Sequence, residues 1–210
     1  MVPGLEIYMM NKTAIQIIEK PEWVSWDDIR QCLYEAHAPN REKGINMTHY
    51  LWPAEKIKES LGEHGVMLVA LDGGKVVGTA AFAERTQKRW YTDGSCYAFL
   101  CFDSVIPYYT GKGIFGLLDK KREEIAAGKG YSSLVFDTHS KNVRRQKIAL
   151  KKKYKHVSFF RTSNGDHYNV IMSKWLDGCP YSSCYCMLRF YWSMLKEKAY
   201  INMSSFKRKV

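Results

Sequence analysis

A long apolar and aromatic run, Tyr97 to Ile106, is stopped by Pro107, and Gly111-Lys112-Gly113 follows before helical periodicity begins at Ile114. That helix runs to about Ala127 and ends before Gly128 and Gly130, residues suited to a helix C-terminus. A second apolar run, Leu134 to His139, comes next. Two strands joined through a helix read as a crossover, which sets them parallel in one sheet and places the chain in the mixed α/β class. The turn itself has a chemical reading. Helix N-termini carry unpaired N–H groups and the positive end of the dipole, and glycine lets an anion approach the backbone closely. It is not a P-loop, because no Gly-Lys-Ser/Thr occurs, and no first βαβ unit precedes it as a dinucleotide fingerprint requires. Taken alone, a glycine turn before a helix reads equally well as plain structure.

The other elements follow from local signals. Residues 14–20 read as a first strand. Ser25 stands before Trp26, Asp27 and Asp28 as an N-cap with acids in the first turn, and Trp26, Ile29, Cys32, Leu33 and Ala36 recur at helical spacing. That helix fades near Pro39. Residues 37–53 are loop-like and carry His37, His49, Tyr50 and Trp52, and Pro53 opens a short helix to Glu63. Asp72-Gly73-Gly74 joins Val66–Leu71 to Lys75–Ala83 as a hairpin. After a polar loop over 84–95 and the crossover, a basic helix covers Asn142 to Lys153. Strands at 157–162 and 168–176 flank the turn Ser163-Asn164-Gly165-Asp166. The expectation is a lead-in over 1–13, one α/β domain over 14–176 with about six or seven strands and helices on both faces, and a Cys- and aromatic-rich helical extension over 177–210.

Composition narrows the function classes. Fourteen Tyr, nine Phe and six Trp in 210 residues supply a core and argue against disorder. No run approaches a membrane span, and the first twelve residues lack a secretory pattern, so a cytoplasmic chain with reduced thiols is expected. Lys and Arg total 32 against 21 Asp and Glu, a net +11 that favours anionic partners. Cys32, Cys96 and Cys101 lie singly, as buried small hydrophobes do. Cys179, Cys184 and Cys186 form C-x4-C-x-C without paired knuckles or a following histidine, so no metal is expected.

Three passages together resemble the GNAT superfamily of acyl-CoA-dependent N-acetyltransferases over roughly residues 14–176. Lys75-Val-Val-Gly-Thr-Ala-Ala is similar to the family's third strand. Val105-x-Pro with Gly111-x-Gly113 is similar to its cofactor motif, and Phe136-Asp-Thr-His-Ser-Lys-Asn142 to its fifth strand and following turn in one branch. The resemblance implies a central mixed sheet whose parallel pair, Tyr97–Ile106 and Leu134–His139, splays apart to admit acetyl-CoA. The pantetheine arm would pair near Val105. The pyrophosphate would sit over Thr110, Gly111, Lys112, Gly113, Ile114 and Phe115, with Tyr108 where the family often has Gln or Arg. The amine would approach from the side of the first two helices and their loop. Transfer would be direct, the amine nitrogen attacking the thioester carbonyl. Many members supply a tyrosine as proton donor seven residues beyond the position of Asn142; here that residue is Ala149, so the general acid is unassigned.

Individual side chains carry more than one reading each. His139, on one strand face with Asp137, is a candidate base near neutral pH or a turn histidine bonding the backbone. Asp103, two residues before Val105, is a candidate base, a recogniser of a cationic amine, or a carboxylate satisfied locally. Asn142 contacts cofactor or caps the basic helix. His49, Tyr50 and Trp52 line the substrate side or simply pack. Lys141 to Lys155 holds eight basic residues and no acid, which reads as a solvated face, a seat for the cofactor's 3′-phosphate, or an RNA-facing patch. In the tail, Met187, Phe190, Tyr191, Met194 and Leu195 form a stripe expected to dock on the domain or on a second copy in a homodimer, not in a membrane. The leading function is transfer of acetyl to a primary amine of a small molecule or protein. A catalytically silent acyl-CoA-binding module and a nucleic-acid or ribosome-associated protein are the alternatives.

Overall fold

The computed structural model describes residues 6–10, 13–45, 48–92, 96–162, 167–178 and 180–207. They fall into two compact units, one drawn from Met1–Gln87 and Cys96–Tyr131, the other from Lys88–Ser95 and Ser132–Val210. The predicted turn at 163–166, and Cys179 of the cysteine cluster, lie outside the described residues.

The first unit is an antiparallel array of β1 (Glu6–Met10), β2 (Thr13–Glu19), β3 (Val66–Asp72), β4 (Lys75–Arg85) and β5 (Tyr97–Val105), each paired with the next in sequence. β1 is an additional strand in the stretch the sequence reading leaves as a lead-in. β3 and most of β4 are buried at consecutive positions rather than at alternate ones, so both faces are covered. The covers are α1 (Trp26–Ala36), α3 (Ala54–Leu61) and α4 (Ile114–Gly128), all of which pack on β4. α1 starts with a full capping box: the Asp28 N–H donates to Ser25 Oγ at 3.0 Å, and the Ser25 N–H donates to the Asp28 carboxylate at 2.9 Å. It ends at His37, and Pro39 then starts a five-residue helix, α2 (Ala38–Glu42), where proline's missing N–H costs nothing. A 3-10 turn, Thr48–Leu51, carries His49 and Tyr50. The sequence reading treats both short pieces as loop.

β5 departs from a flat strand. Thr79 pairs with Ser104 and Ala81 with Cys101, so Phe102 and Asp103 together oppose Ala80. Phe102 adopts φ +54°, a left-handed conformation unusual for a bulky side chain. This is a β-bulge, and it puts Cys101 and Ser104, three residues apart, on one face.

The second unit pairs β6 (Ser133–His139) with β8 (Tyr168–Trp175), and β8 with β7 (Lys155–Arg161), all antiparallel. α5 (Val143–Lys151) links β6 to β7, and α6 (Ser183–Lys207) packs along β7. Cys186, Phe190 and Ser193 make the α6 contact: Phe190 stacks on His156 at 5.0 Å, and Ser193 Oγ accepts from the Phe159 N–H at 2.9 Å. The expected stripe is therefore split. Phe190 faces β7, whereas Met187, Tyr191 and Leu195 are exposed with Leu188 and Trp192, about a quarter-turn around the helix. Tyr181 and Tyr185 pack edge-on to Trp90, over which Arg189 sits at 5.1 Å.

Candidate active site

The segment after β5 has the shape the glycine turn implies. The Ile106 N–H bonds the Val77 carbonyl at 3.0 Å, and Pro107–Tyr109 makes one 3-10 turn closed by Thr110 N–H to Pro107 O at 3.0 Å. Gly111 and Gly113 then take φ +83° and +81°, which only glycine adopts freely. Gly113 is the N-cap of α4, and no side chain caps that terminus. A Cβ built at Gly111 or at Gly116 would meet no heavy atom within 4 Å, so the space over the first turn is open. Uncapped N–H groups, the dipole's positive end and open space fit a pyrophosphate. The loop is braced from outside: the Tyr109 hydroxyl donates to Asp72 at the end of β3, and that bond raises its phenol to about 12. Lys112 holds its ammonium 4.2 Å from the Tyr108 ring centre and 4.8 Å from that of Tyr109, which adds a cation beside the loop. Tyr108 is exposed, and Val105, the last residue of β5, is half-buried opposite Gly78.

The bulge gathers a second group within the same unit. Thr79, fully buried, donates to the Phe102 carbonyl at 2.6 Å and lies 2.6 Å from Ser104 Oγ, which in turn meets Cys32 Sγ at 3.6 Å. Burial pushes the Cys32 thiol up to about 12, so it stays protonated and inert. Phe102 is met edge-on by His49 at 5.7 Å and by Trp52 at 6.2 Å between ring centres. Tyr50 stacks on His37 at 5.6 Å, and the two imidazoles meet edge-on at 5.1 Å. The structure thus brings His49, Tyr50 and Trp52 together, and adds His37 and Phe102. Burial lowers His37 to about 4 and His49 to about 3 from the ordinary 6.5, opposed in both by the charge of Asp103.

Asp103 itself is ion-paired with Arg122, which is wholly buried, also reaches Asp119, and donates to the Ala81 carbonyl at 3.0 Å. Sequence reasoning missed Arg122 and Asp119. Their signal was present: Ile114, Leu118, Arg122 and Ala126 form one buried stripe of α4 at four-residue spacing, and an arginine within such a stripe needs a carboxylate partner.

In the second unit, His139 is buried and its Nδ1 accepts the Lys141 N–H at 3.0 Å, while its ring stacks on His167 at 4.5 Å. Burial lowers its pKa. With Nδ1 engaged, the neutral ring carries its hydrogen on Nε2, so the lone pair a base needs is occupied. Asn142 caps α5, accepting the Arg145 N–H at 3.2 Å. Ala149 is wholly buried, leaving no room for a tyrosine. Of the basic run, Lys141, Arg144, Lys147, Lys151 and Lys153 are exposed, Arg145 lies over the Phe136 ring at 4.0 Å, and Lys155 donates to Ser183. Among the described residues no three potential metal ligands cluster, and no helix is long and apolar enough to cross a membrane.

Comparison with known proteins agrees with this geometry. The profile of the acetyltransferase (GNAT) family matches residues 23–152. A sequence search of curated proteins gives no match. Among solved structures, the chain is similar to the ribosomal-protein-S18-alanine N-acetyltransferase from Escherichia coli, at 15% identity and TM-score 0.58 over 80% of this chain and 97% of that one. It is similar to the GNAT domain of S. lividans PAT at 15% identity and TM-score 0.60, covering 84% and 100%. The aminoglycoside 6′-acetyltransferase type Ii is similar at 20% identity and TM-score 0.57, covering 78% and 99%. These likenesses carry the fold, which is the mixed α/β one the sequence implies.

Proposed function

The chain belongs to the GNAT acetyltransferase family, and from that premise we propose that it transfers an acetyl group from acetyl-CoA to a primary amine. The observation that carries this reading is the loop from Thr110 to Phe115: two left-handed glycines, an uncapped α4 N-terminus, and open space above it. There the N–H groups hold the pyrophosphate, Lys112 adds charge, Tyr108 flanks the entrance, and the pantetheine arm runs along the end of β5 at Val105. His49, Tyr50 and Trp52 face the amine. The acceptor nitrogen attacks the thioester carbonyl, and the thiolate departs. The lone pair of His139 Nδ1 is engaged by the Lys141 N–H, which counts against it as the base, and Asp103 is ion-paired with Arg122.

Calorimetric titration with acetyl-CoA tests the loop. Gly113→Val forces a β-branched side chain into φ +81° at the anion seat and is expected to weaken binding at least tenfold. Unchanged affinity in a folded variant overturns the assignment. One observation favours a second reading. Ala149 is buried and cannot donate a proton to the thiolate, as a silent acyl-CoA-binding module would allow. Thiol release over a panel of amines separates the two, since the silent module binds acetyl-CoA and releases none.

A further inference from the structure

The positive charge is not spread evenly along the chain. The second unit holds 18 Lys and Arg against 5 Asp and Glu, whereas the first holds 14 against 16. Much of that excess sits on and beside α5. Lys141, Arg144, Lys147, Lys151 and Lys153 are exposed, and among the described residues none of the five has a carboxylate partner. A surface that serves only for solubility mixes both signs, and this one carries a single sign.

The fold sets an apolar surface on the same side of the sheet. Phe136, Met172 and His156 oppose one another on β6, β8 and β7, so their side chains share one sheet face. Arg145 of α5 lies over Phe136, and Gln146 Oε1 is 3.2 Å from His156 Nε2. Phe190 of α6 stacks on that same His156 ring. Both helices therefore cover this one face. At about 100° per residue, Arg144, Lys147 and Lys151 lie roughly opposite the buried Ala149 and look away from the sheet. Leu188 and Leu195 lie roughly opposite the buried Cys186 and do the same, at 61% and 59% exposure, with Tyr191 and Trp192 beside them. Charges are sparse within α6 itself, and α5 supplies them from a distant part of the sequence.

The chemistry of this surface selects its occupant. The cations need an anionic partner, and the apolar side chains need hydrocarbon in the same place. A second copy brings the same excess of positive charge and is repelled. A nucleic acid satisfies the cations and stacks on Tyr191 and Trp192, but it leaves Met187, Leu188 and Leu195 unused, as well as Val143 and Leu150, which are exposed on α5. An anionic bilayer satisfies both sets: its headgroups meet the lysines, its acyl boundary takes the leucines, and Trp and Tyr rings sit at headgroup level. We propose that α5 and α6 dock the protein on the surface of a bilayer containing anionic lipids. α6 lies in the interface and does not span it, since no described helix is long and apolar enough to cross a membrane. The inference goes beyond the acetyltransferase reading and does not depend on it.

Co-sedimentation of the full chain with vesicles tests this, using phosphatidylcholine alone and phosphatidylcholine with about a third phosphatidylglycerol. Partitioning is expected to be at least tenfold higher on the anionic vesicles, and to fall at least tenfold as salt rises from ~0.1 to ~0.5 M. Lys147→Gln with Lys151→Gln is expected to lose at least tenfold. Leu188→Ser with Leu195→Ser is expected to lose as much while keeping every charge. Thermal melting checks that each variant is folded, and Leu188→Gln with Leu195→Gln replaces a Ser pair that is not. Trp192 gives a separate readout: quenching by brominated acyl chains, measured as the difference between the wild-type chain and Trp192→Phe. Equal partitioning on neutral vesicles, or none on either, overturns the assignment. So does full binding by the leucine variant, which marks mere attraction of a basic chain, and so does a Trp192 left unquenched. Tighter retention on single-stranded RNA than on anionic vesicles at the same salt also overturns it, and gives the surface to nucleic acid.

Discussion

Arg122 shows how much of the site depends on one side chain. It is wholly buried, and its guanidinium joins Asp103 of β5, Asp119 of its own helix and the Ala81 carbonyl of β4. Arg122→Met would leave two carboxylates without their cation, and the expected loss is about 3–5 kcal/mol in urea unfolding. Arg122→Lys keeps the charge but not the planar fork, so it is expected to recover only part of that loss. The imidazoles give a second prediction. His37 and His49 bind protons with ordinary affinity when unfolded, near pH 6.5, but only near about 4 and about 3 when folded. Between those values the unfolded chain holds more protons, so stability is intact above pH 6.5 and falls as pH drops through that window, by up to ~1.4 kcal/mol per pH unit for each ring. Asp103 faces both rings and opposes the shift, and Arg41 adds to it at His37. Melting temperature followed from pH 7.5 to 5 checks this, and His37→Phe is expected to flatten the slope.

Elements built from local signals were legible in the sequence: the Ser25 N-cap, the Asp72-Gly73-Gly74 hairpin, the helix after Gly113 and, as one of two readings, the cap at Asn142. Each is decided within four or five residues, so chain order suffices. The bulge was not legible, because it is a property of pairing. Nothing in Cys101-Phe102-Asp103-Ser104 announces that two of these residues will share one partner. The grouping of His37 with His49 was hidden for the same reason, since α2 and the 3-10 turn are too short for periodicity to reveal. The bulge is held by Thr79, whose hydroxyl donates to the Phe102 carbonyl and meets Ser104. Thr79→Val preserves shape and removes that bond. It is expected to destabilise by about 1–3 kcal/mol. By loosening Phe102 against His49 and Trp52, it should also raise KM for the amine more than it changes acetyl-CoA affinity.

For the molecule as a whole, the exposed face of α6 and the net charge of +11 pull in opposite directions. Like charge keeps copies apart at low salt, while Leu188, Tyr191, Trp192 and Leu195 offer apolar surface once that repulsion is screened. Self-association measured by sedimentation is therefore expected to rise with ionic strength. Leu188→Glu with Leu195→Glu should suppress it while leaving thermal stability almost unchanged, because neither side chain is buried. Association unchanged by both substitutions would show that another surface is responsible.

The extra residue in β5 also acts as a phase marker for the history of the fold. Before it, odd and even positions alternate between the two faces; from Asp103 onward their parity is exchanged relative to β4. A relative with an unbulged strand would be displaced by one place from this point, so a gapless superposition of the two sequences would match Ser104 to a residue on the opposite face. At 15–20% identity such a slip is invisible in the letters. Ancestral reconstruction across this strand must therefore treat one inserted residue as a single event. Otherwise it will infer a string of substitutions that never took place.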